Sequence, residues 1–318
     1  MELYPFKFRP IFKPRIWGGQ KLREYFGKDL PKLAKIGESW ELADLPDDKS
    51  VIANGPLAGQ TLASAVAAYP LEITGNRDFK LPFPILIKFL DAEDVLSVQV
   101  HPDAQTCKRM GKGDPKTECW YIIYAAGMFI YKGLKKGVTK ERFAKAIKKG
   151  NVADLLEKVA VKPGECHFLP AGTAHSIGPG LIIAEIQTPS DTTYRVFDWN
   201  RFDDTGEPRQ LHIEEALESI HFDASGDNLS VTTAGRLVDC EYFTIDKGHQ
   251  AEGGEMLLSA GKMRTFLITA GRGSILSRGG GEVEFRAGDC LLVPACYEGT
   301  MYFADDTQYL TVMLGNKR

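Results

Sequence analysis

The sequence lacks any CxxC pair. Its six cysteines, Cys107, Cys119, Cys166, Cys240, Cys290 and Cys296, are scattered through 318 residues, so the spacing of paired-cysteine metal and redox motifs is absent. Several lie in apolar, strand-like runs where a thiol behaves as a small hydrophobe, and reduced, mostly buried thiols are expected. Long apolar runs are missing too: none approaches the roughly 20 residues that cross a bilayer. Met1-Glu2-Leu3-Tyr4-Pro5 lacks the charged-then-apolar pattern of a signal peptide, so the expectation is a cytoplasmic location with no membrane partner. Neither sign of charge is in excess. The 39 basic residues face 42 acidic ones, for a formal net charge of -3, which removes the electrostatic pull toward nucleic acid. A glycine-rich phosphate loop is also missing, because Gly271-Arg272-Gly273 and Gly279-Gly280-Gly281 read as turns between strands and open no helix.

What remains is an ordinary globular composition, with 43% apolar, 25% charged and 10% aromatic residues. That is enough to build a real interior, and the length suits one large β-rich domain or two smaller ones. From Phe83 onward, short β-rich runs alternate with Gly, Pro and Asp: Pro84 to Leu90, Val95 to Val100, Glu118 to Tyr124, Met128 to Lys132, Cys166 to Leu169 and Leu181 to Ile186. Short strands at close spacing predict a sandwich or barrel. Two stretches read as surface helices instead. Leu57 to Tyr69 is alanine-rich, and Thr139 to Val159 carries apolar residues at broadly helical spacing with a break at Gly150-Asn151; the second is expected to connect strands within the first barrel.

A weak internal repeat refines this. Pro163-Gly164-Glu165-Cys166-His167-Phe168-Leu169-Pro170-Ala171 resembles Ala287-Gly288-Asp289-Cys290-Leu291-Leu292-Val293-Pro294-Ala295, each a Gly-acidic turn, a short apolar strand and a Pro-Ala exit. The pair predicts two related barrels, divided as 1–235 and 236–318. The same register sets His175 opposite Gly299, so chemistry centred on His175 is missing from the second copy, which reads as structural and free of metal.

In Val98-Gln99-Val100-His101 the pleat sends Gln99 and His101 to one face of a strand, and Pro102-Asp103 ends it. Glu118 opens the next strand, and His175 follows the turn Pro170-Ala171-Gly172-Thr173-Ala174. Taken singly, a strand histidine is more often a satisfied structural residue. Two imidazoles, a carboxylate and an amide at strand edges of one barrel would together make a tetrahedral or five-coordinate zinc site with room for a substrate.

Gln99-Val100-His101-Pro102-Asp103, Lys116-Thr117-Glu118-Cys119-Trp120 and Pro170-Ala171-Gly172-Thr173-Ala174-His175 resemble, in order and separation, the three metal-site motifs of type I phosphomannose isomerases of the cupin superfamily. Trp17-Gly18-Gly19, Gly37-Glu38-Ser39-Trp40 and Thr193-Tyr194-Arg195-Val196-Phe197-Asp198-Trp199 extend the likeness over about residues 14 to 201. The chain lacks room for the large helical insertion of longer members, which places it with a short bacterial-type subgroup. The resemblance implies an all-β dominated fold with minor α, built from two cupin or jelly-roll barrels with a helical insertion in the first. It implies one Zn2+ per chain on Gln99, His101, Glu118 and His175, and interconversion of mannose 6-phosphate and fructose 6-phosphate through an enediolate. A phosphorylated hexose is then the substrate, and the protein works as a monomer or homodimer.

The resemblance implies a catalytic role for Arg195, and Lys116 is a further catalytic candidate. A guanidinium stays charged and binds oxygen pairs, although an ion pair with Asp198 or Asp191 is the plainer reading of Arg195. The proton shuttle is open among Lys116, Glu38 and a zinc-bound water. For substrate binding the candidates are Trp17, Glu38 and Lys132, with Lys116 and Arg15 as further phosphate contacts; each of these cations has a solvated surface charge as its plainer reading, and Trp17 and Trp40 have core packing. Because cupin barrels host many functions, two alternatives stand beside the isomerase. One is a non-haem iron dioxygenase, since two histidines and a carboxylate also suit iron; the other is a non-catalytic sugar-binding bicupin with a structural metal.

Overall fold

Along Phe129–Leu134 buried and half-buried side chains alternate, the period of a strand with one face on a core. Leu86–Ala92 and Leu181–Gln187 are buried throughout, so both their faces must be covered. The structure, a computed structural model, describes residues 2–203, 205–224 and 230–315.

Antiparallel pairing assembles these strands into two barrels. The first has a seven-stranded sheet whose order is Val231–Thr232, Cys166–Leu169, Glu118–Ala125, Leu181–Gln187, Leu86–Ala92, Ile36–Leu42, Ile11–Gly19. Opposite it runs a five-stranded sheet, Tyr194–Phe197, Val98–Val100, His175–Ile177, Phe129–Leu134, Leu156–Ala160. The second barrel pairs a six-stranded and a four-stranded sheet, with Arg264–Ala270 and Thr307–Leu314 central to the larger one. Its larger sheet also takes in Phe6–Lys7, which lie beside Leu292 and Leu291. One apolar core runs through both units, joining Phe26, Phe89 and Cys119 to Leu267, Cys290 and Leu310.

The repeat is visible in the pairing. Glu118 lies opposite Leu169 as Arg264 lies opposite Val293. Gln99 lies opposite His175 as Leu258 lies opposite Gly299. The positions of Gln99, Glu118 and His175 are thus held by Leu258, Arg264 and Gly299 in the second barrel, whose interior is filled by Phe266, Phe285, Met301, Phe303 and Tyr309.

Helices are shorter than expected. The 57–69 stretch yields a helix only from Leu62 to Ala68, where Thr61 caps the start by accepting from the Ser64 amide; a second turn, Pro70–Thr74, follows. The 139–159 stretch is not one broken helix. Lys140–Lys149 is helical, capped by Thr139 and ended by Gly150 at φ +71°. A 3-10 turn at Val152–Leu155 then leads into strand Leu156–Ala160, which pairs with Phe129–Leu134. There the chain pairs with the sheet edge, and the near-alternating burial of Leu156–Ala160 agrees with a strand. Ala104–Met110 and Ile213–Ser219 were not anticipated, since two turns give too little periodicity to read.

Candidate metal centre and substrate cavity

Strand register gathers the first barrel's polar residues. Gln99 pairs with both His175 and Arg195, and His175 pairs with Lys132, so Arg195, Gln99, His175 and Lys132 form one row on one face of the five-stranded sheet. Across the barrel, Glu185 pairs with Lys88 and with Trp120, and Glu118 lies two residues before Trp120 on the same face.

Three donors meet between the sheets. Glu118 Oε2 lies 3.3 Å from His101 Nε2 and Oε1 lies 3.3 Å from His175 Nε2; all three side chains are buried, with ligand atoms within 4.8 Å of one another. Each imidazole has its Nδ1 2.8 Å from a backbone carbonyl, Thr192 for His101 and Thr173 for His175. A carbonyl only accepts, so both Nδ1 atoms carry the proton and both Nε2 atoms present lone pairs inward. Burial, with Lys116 nearby, lowers His101 to about 3, and burial lowers His175, which keeps both rings neutral. Burial by itself would raise the Glu118 carboxyl, but Lys116 first, and then His101 and His175, together outweigh it and hold the group well below the usual range. Lys116 Nζ sits 3.1 Å from Glu118 Oε2. Yet both carboxylate oxygens and His101 Nε2 are buried without a hydrogen bond. Lone pairs and an anion facing one another at 3.3 Å repel, Lys116 meets only the Oε2 side of the carboxylate, and a divalent ion among the three donors would satisfy them all. Gln99 lies beside them, its amide nitrogen 3.2 Å from His175 Nε2.

Gln99, and Lys116 beside Glu118, border a cavity of about 320 Å³ lined also by Arg15, Trp17, Glu38, Lys88, Ser97, Glu185, Asp191, Arg195 and Arg209, among others. One wall is a chain of charges: Arg15 to Glu38 at 2.7 Å, Glu38 to Lys88 at 3.4 Å and Lys88 to Glu185 at 3.0 Å. The two carboxyls differ. Burial raises that of Glu38, but Lys88 and Arg15 pull it down to about 2, and the Trp40 indole donates to it at 2.6 Å. Glu185 is raised by burial and by nearby Glu118, despite its contact with Lys88; the Trp120 indole donates to its other oxygen at 3.0 Å.

Of the expected substrate residues, Trp17, Glu38 and Arg15 line the cavity, as do Lys116 and Arg195. Lys132 does not. It is buried, and its Nζ donates to the Ser230 carbonyl at 3.1 Å. Trp40 packs behind Glu38 and is buried. The ion pair expected for Arg195 is also replaced: Asp198 is taken by Arg201 and Arg209 at 2.7 and 2.6 Å, while Arg195 donates to the Gln210 carbonyl and keeps a buried Nε without a hydrogen bond. Lys88, Glu185 and Arg209 were missed. A signal existed for the first two, since each is a lone charge inside an otherwise apolar strand, Leu86-Ile87-Lys88-Phe89-Leu90 and Leu181-Ile182-Ile183-Ala184-Glu185-Ile186.

Two fused antiparallel barrels, with a buried histidine-carboxylate cluster that could hold a metal beside a cation-lined cavity, define a bicupin. The catalytic-domain profile of type I phosphomannose isomerase matches residues 5–121. A probable mannose-6-phosphate isomerase of Bacillus subtilis is 38% identical over 94% of this chain and 98% of its own. A mannose-6-phosphate isomerase of Streptococcus mutans is 36% identical over 92% of each. The crystal structure of a Bacillus subtilis mannose 6-phosphate isomerase superposes with a TM-score of 0.84 at 29% identity, covering 97% of this chain and 99% of that one. The chain belongs to the type I phosphomannose isomerase family.

Proposed function

We propose that the protein is a zinc-dependent isomerase that interconverts mannose 6-phosphate and fructose 6-phosphate through an enediolate. The observation that carries this reading is the pair of neutral, inward-facing Nε2 atoms around a Glu118 carboxylate whose buried oxygens lack hydrogen bonds, at the edge of a cavity lined by lysine and arginine. Gln99, His101, Glu118 and His175 would hold one Zn2+ per chain. When bound, the ion supplies a fixed Lewis-acid charge for the sugar's carbonyl and hydroxyl oxygens without redox chemistry.

The chain's own residues do the rest. Moving a carbonyl between C1 and C2 removes a proton from carbon and returns it to the neighbouring carbon. A carboxylate raised toward neutrality suits that task better than one held low, so Glu185 is the proton carrier, and Glu38, clamped by Arg15, Lys88 and Trp40, orients substrate hydroxyls. Lys116 and Arg195 place positive charge where the enediolate oxygens become anionic. Arg195 loses proton affinity through burial and then through nearby Arg209, Arg201 and Arg15, a concentration of cations suited to a phosphate dianion. Trp17 covers the sugar. The cytoplasm, with all six cysteines as free thiols, is the compartment this reading assigns.

Chelation and reconstitution test it. Removing metal should abolish fructose 6-phosphate formation, and about one equivalent of zinc per chain should restore it. Full turnover by protein stripped of metal would overturn the reading. Oxygen uptake in place of isomerisation would favour the iron dioxygenase.

A further inference from the structure

We propose that His221, which lies outside the donor set, is a positioning residue that clamps two of the metal-ligand segments together and thereby strengthens divalent-cation binding. This rests on the metal centre proposed above. His221 follows helix Ile213–Ser219 and touches both segments. Its Nε2 lies 2.9 Å from Asp103 Oδ2, two residues after His101, while Asp103 Oδ1 accepts from the Thr106 amide and starts helix Ala104–Met110. Its backbone amide donates to the Gly172 carbonyl at 3.0 Å, and the Gly172 amide donates to the His101 carbonyl at 2.8 Å. The imidazole also lies against Gly172: a Cβ there, at φ +85°, would come within 2.5 Å of the ring. Only glycine accepts both that conformation and that contact.

The clamp is itself anchored. Ile220 is buried among Val98, Val100, Ala174 and Val196, and Phe222 packs edge-on against Phe143 at 5.9 Å. A polar contact at this exposure, 47% for His221 and 31% for Asp103, adds little to folding stability. Ligand geometry is far less forgiving, because loss of groups that orient ligands costs about 10- to 100-fold in metal affinity. The predicted signature is therefore weaker zinc binding with nearly unchanged apoprotein stability.

Zinc affinity measured by competition with a chromophoric chelator near neutral pH, alongside the apoprotein Tm, tests this. His221→Ala should weaken zinc about 10-fold and shift the apoprotein Tm by no more than about 2 °C. His221→Gln, which keeps a donor for Asp103, should recover most of the affinity. Gly172→Ala should weaken zinc as well, and adding His221→Ala to it should cost less than the two separate losses together. Unchanged zinc affinity in His221→Ala overturns the clamp, as does a fall in Tm without a fall in affinity. Failure of the unsubstituted protein to take up zinc overturns the metal centre and the clamp together, so the two failures are told apart.

Discussion

Glu185 and Glu38 share one cavity wall and one lysine, yet their proton affinities move in opposite directions. The division of labour drawn from this is testable. Glu185→Gln should lower kcat by roughly 10²- to 10⁴-fold while zinc content stays at the unsubstituted level; Glu38→Gln should act more on KM. If Glu185→Gln turns over normally, the proton carrier is another group. Acid sensitivity also follows from single residues. His101 is lowered from 6.5 to about 3, so below about pH 6.5 the unfolded chain takes up a proton that the folded one refuses, and stability falls as pH drops toward 3. Glu38, lowered from 4.5 to about 2, adds a further loss below about 4.5. The apoprotein Tm should therefore fall on acidification below about pH 6.5, and His101→Asn should flatten the upper part of that fall. Lys132 is lowered by burial to about 8. Lys132→Met should leave KM for mannose 6-phosphate within about twofold and raise Tm by a few degrees, because it removes a desolvated charge; a large rise in KM would return this residue to the substrate site.

At the scale of elements, the cavity depends on close backbone contact between Ile11–Gly19 and Ile36–Leu42. A Cβ on Gly18 would lie 2.3 Å from the Gly37 nitrogen, and one on Gly37 would strike Arg15 and Trp17 at 2.6 Å. Gly18→Ala should cost about 3 kcal/mol, measured by denaturant unfolding, and a loss under about 0.5 kcal/mol would mean the two strands can separate freely. Strands were legible where punctuation was strong: Cys166–Leu169 runs as expected and Glu118–Ala125 extends one residue further. Residues 156–160 were not, because Leu156 and Val159 fit a helical stripe and an edge strand equally well. The decision came from a neighbour, Phe129–Leu134, that lies more than 20 positions earlier.

At the scale of the molecule, the barrels share a sheet and a core. Phe6–Lys7 complete the second barrel's sheet, and Leu267, Cys290 and Leu310 pack in the same core as Phe26 and Phe89. A chain ending at residue 235 would expose that face, and it should aggregate or unfold without cooperativity by calorimetry. A soluble, cooperatively folding fragment with full zinc uptake would show that the boundary near 235 is a true domain limit.

What residue order determined by itself was local and periodic: the two-residue spacing that aims Gln99 and His101 together, the turns that end strands, and the repeat that left the second copy with Gly299 where the first has His175. Tertiary structure alone decided which charges face one another. Lys88 and Glu185 lie 97 positions apart, and no pattern along the chain records that register brings them to 3.0 Å. Nor does any pattern record that Asp198 is occupied by Arg201 and Arg209, leaving Arg195 to the cavity. Side-chain alternation is written residue by residue, whereas the pairing of distant charges depends on how sheets close, and that follows only once the core has set the register.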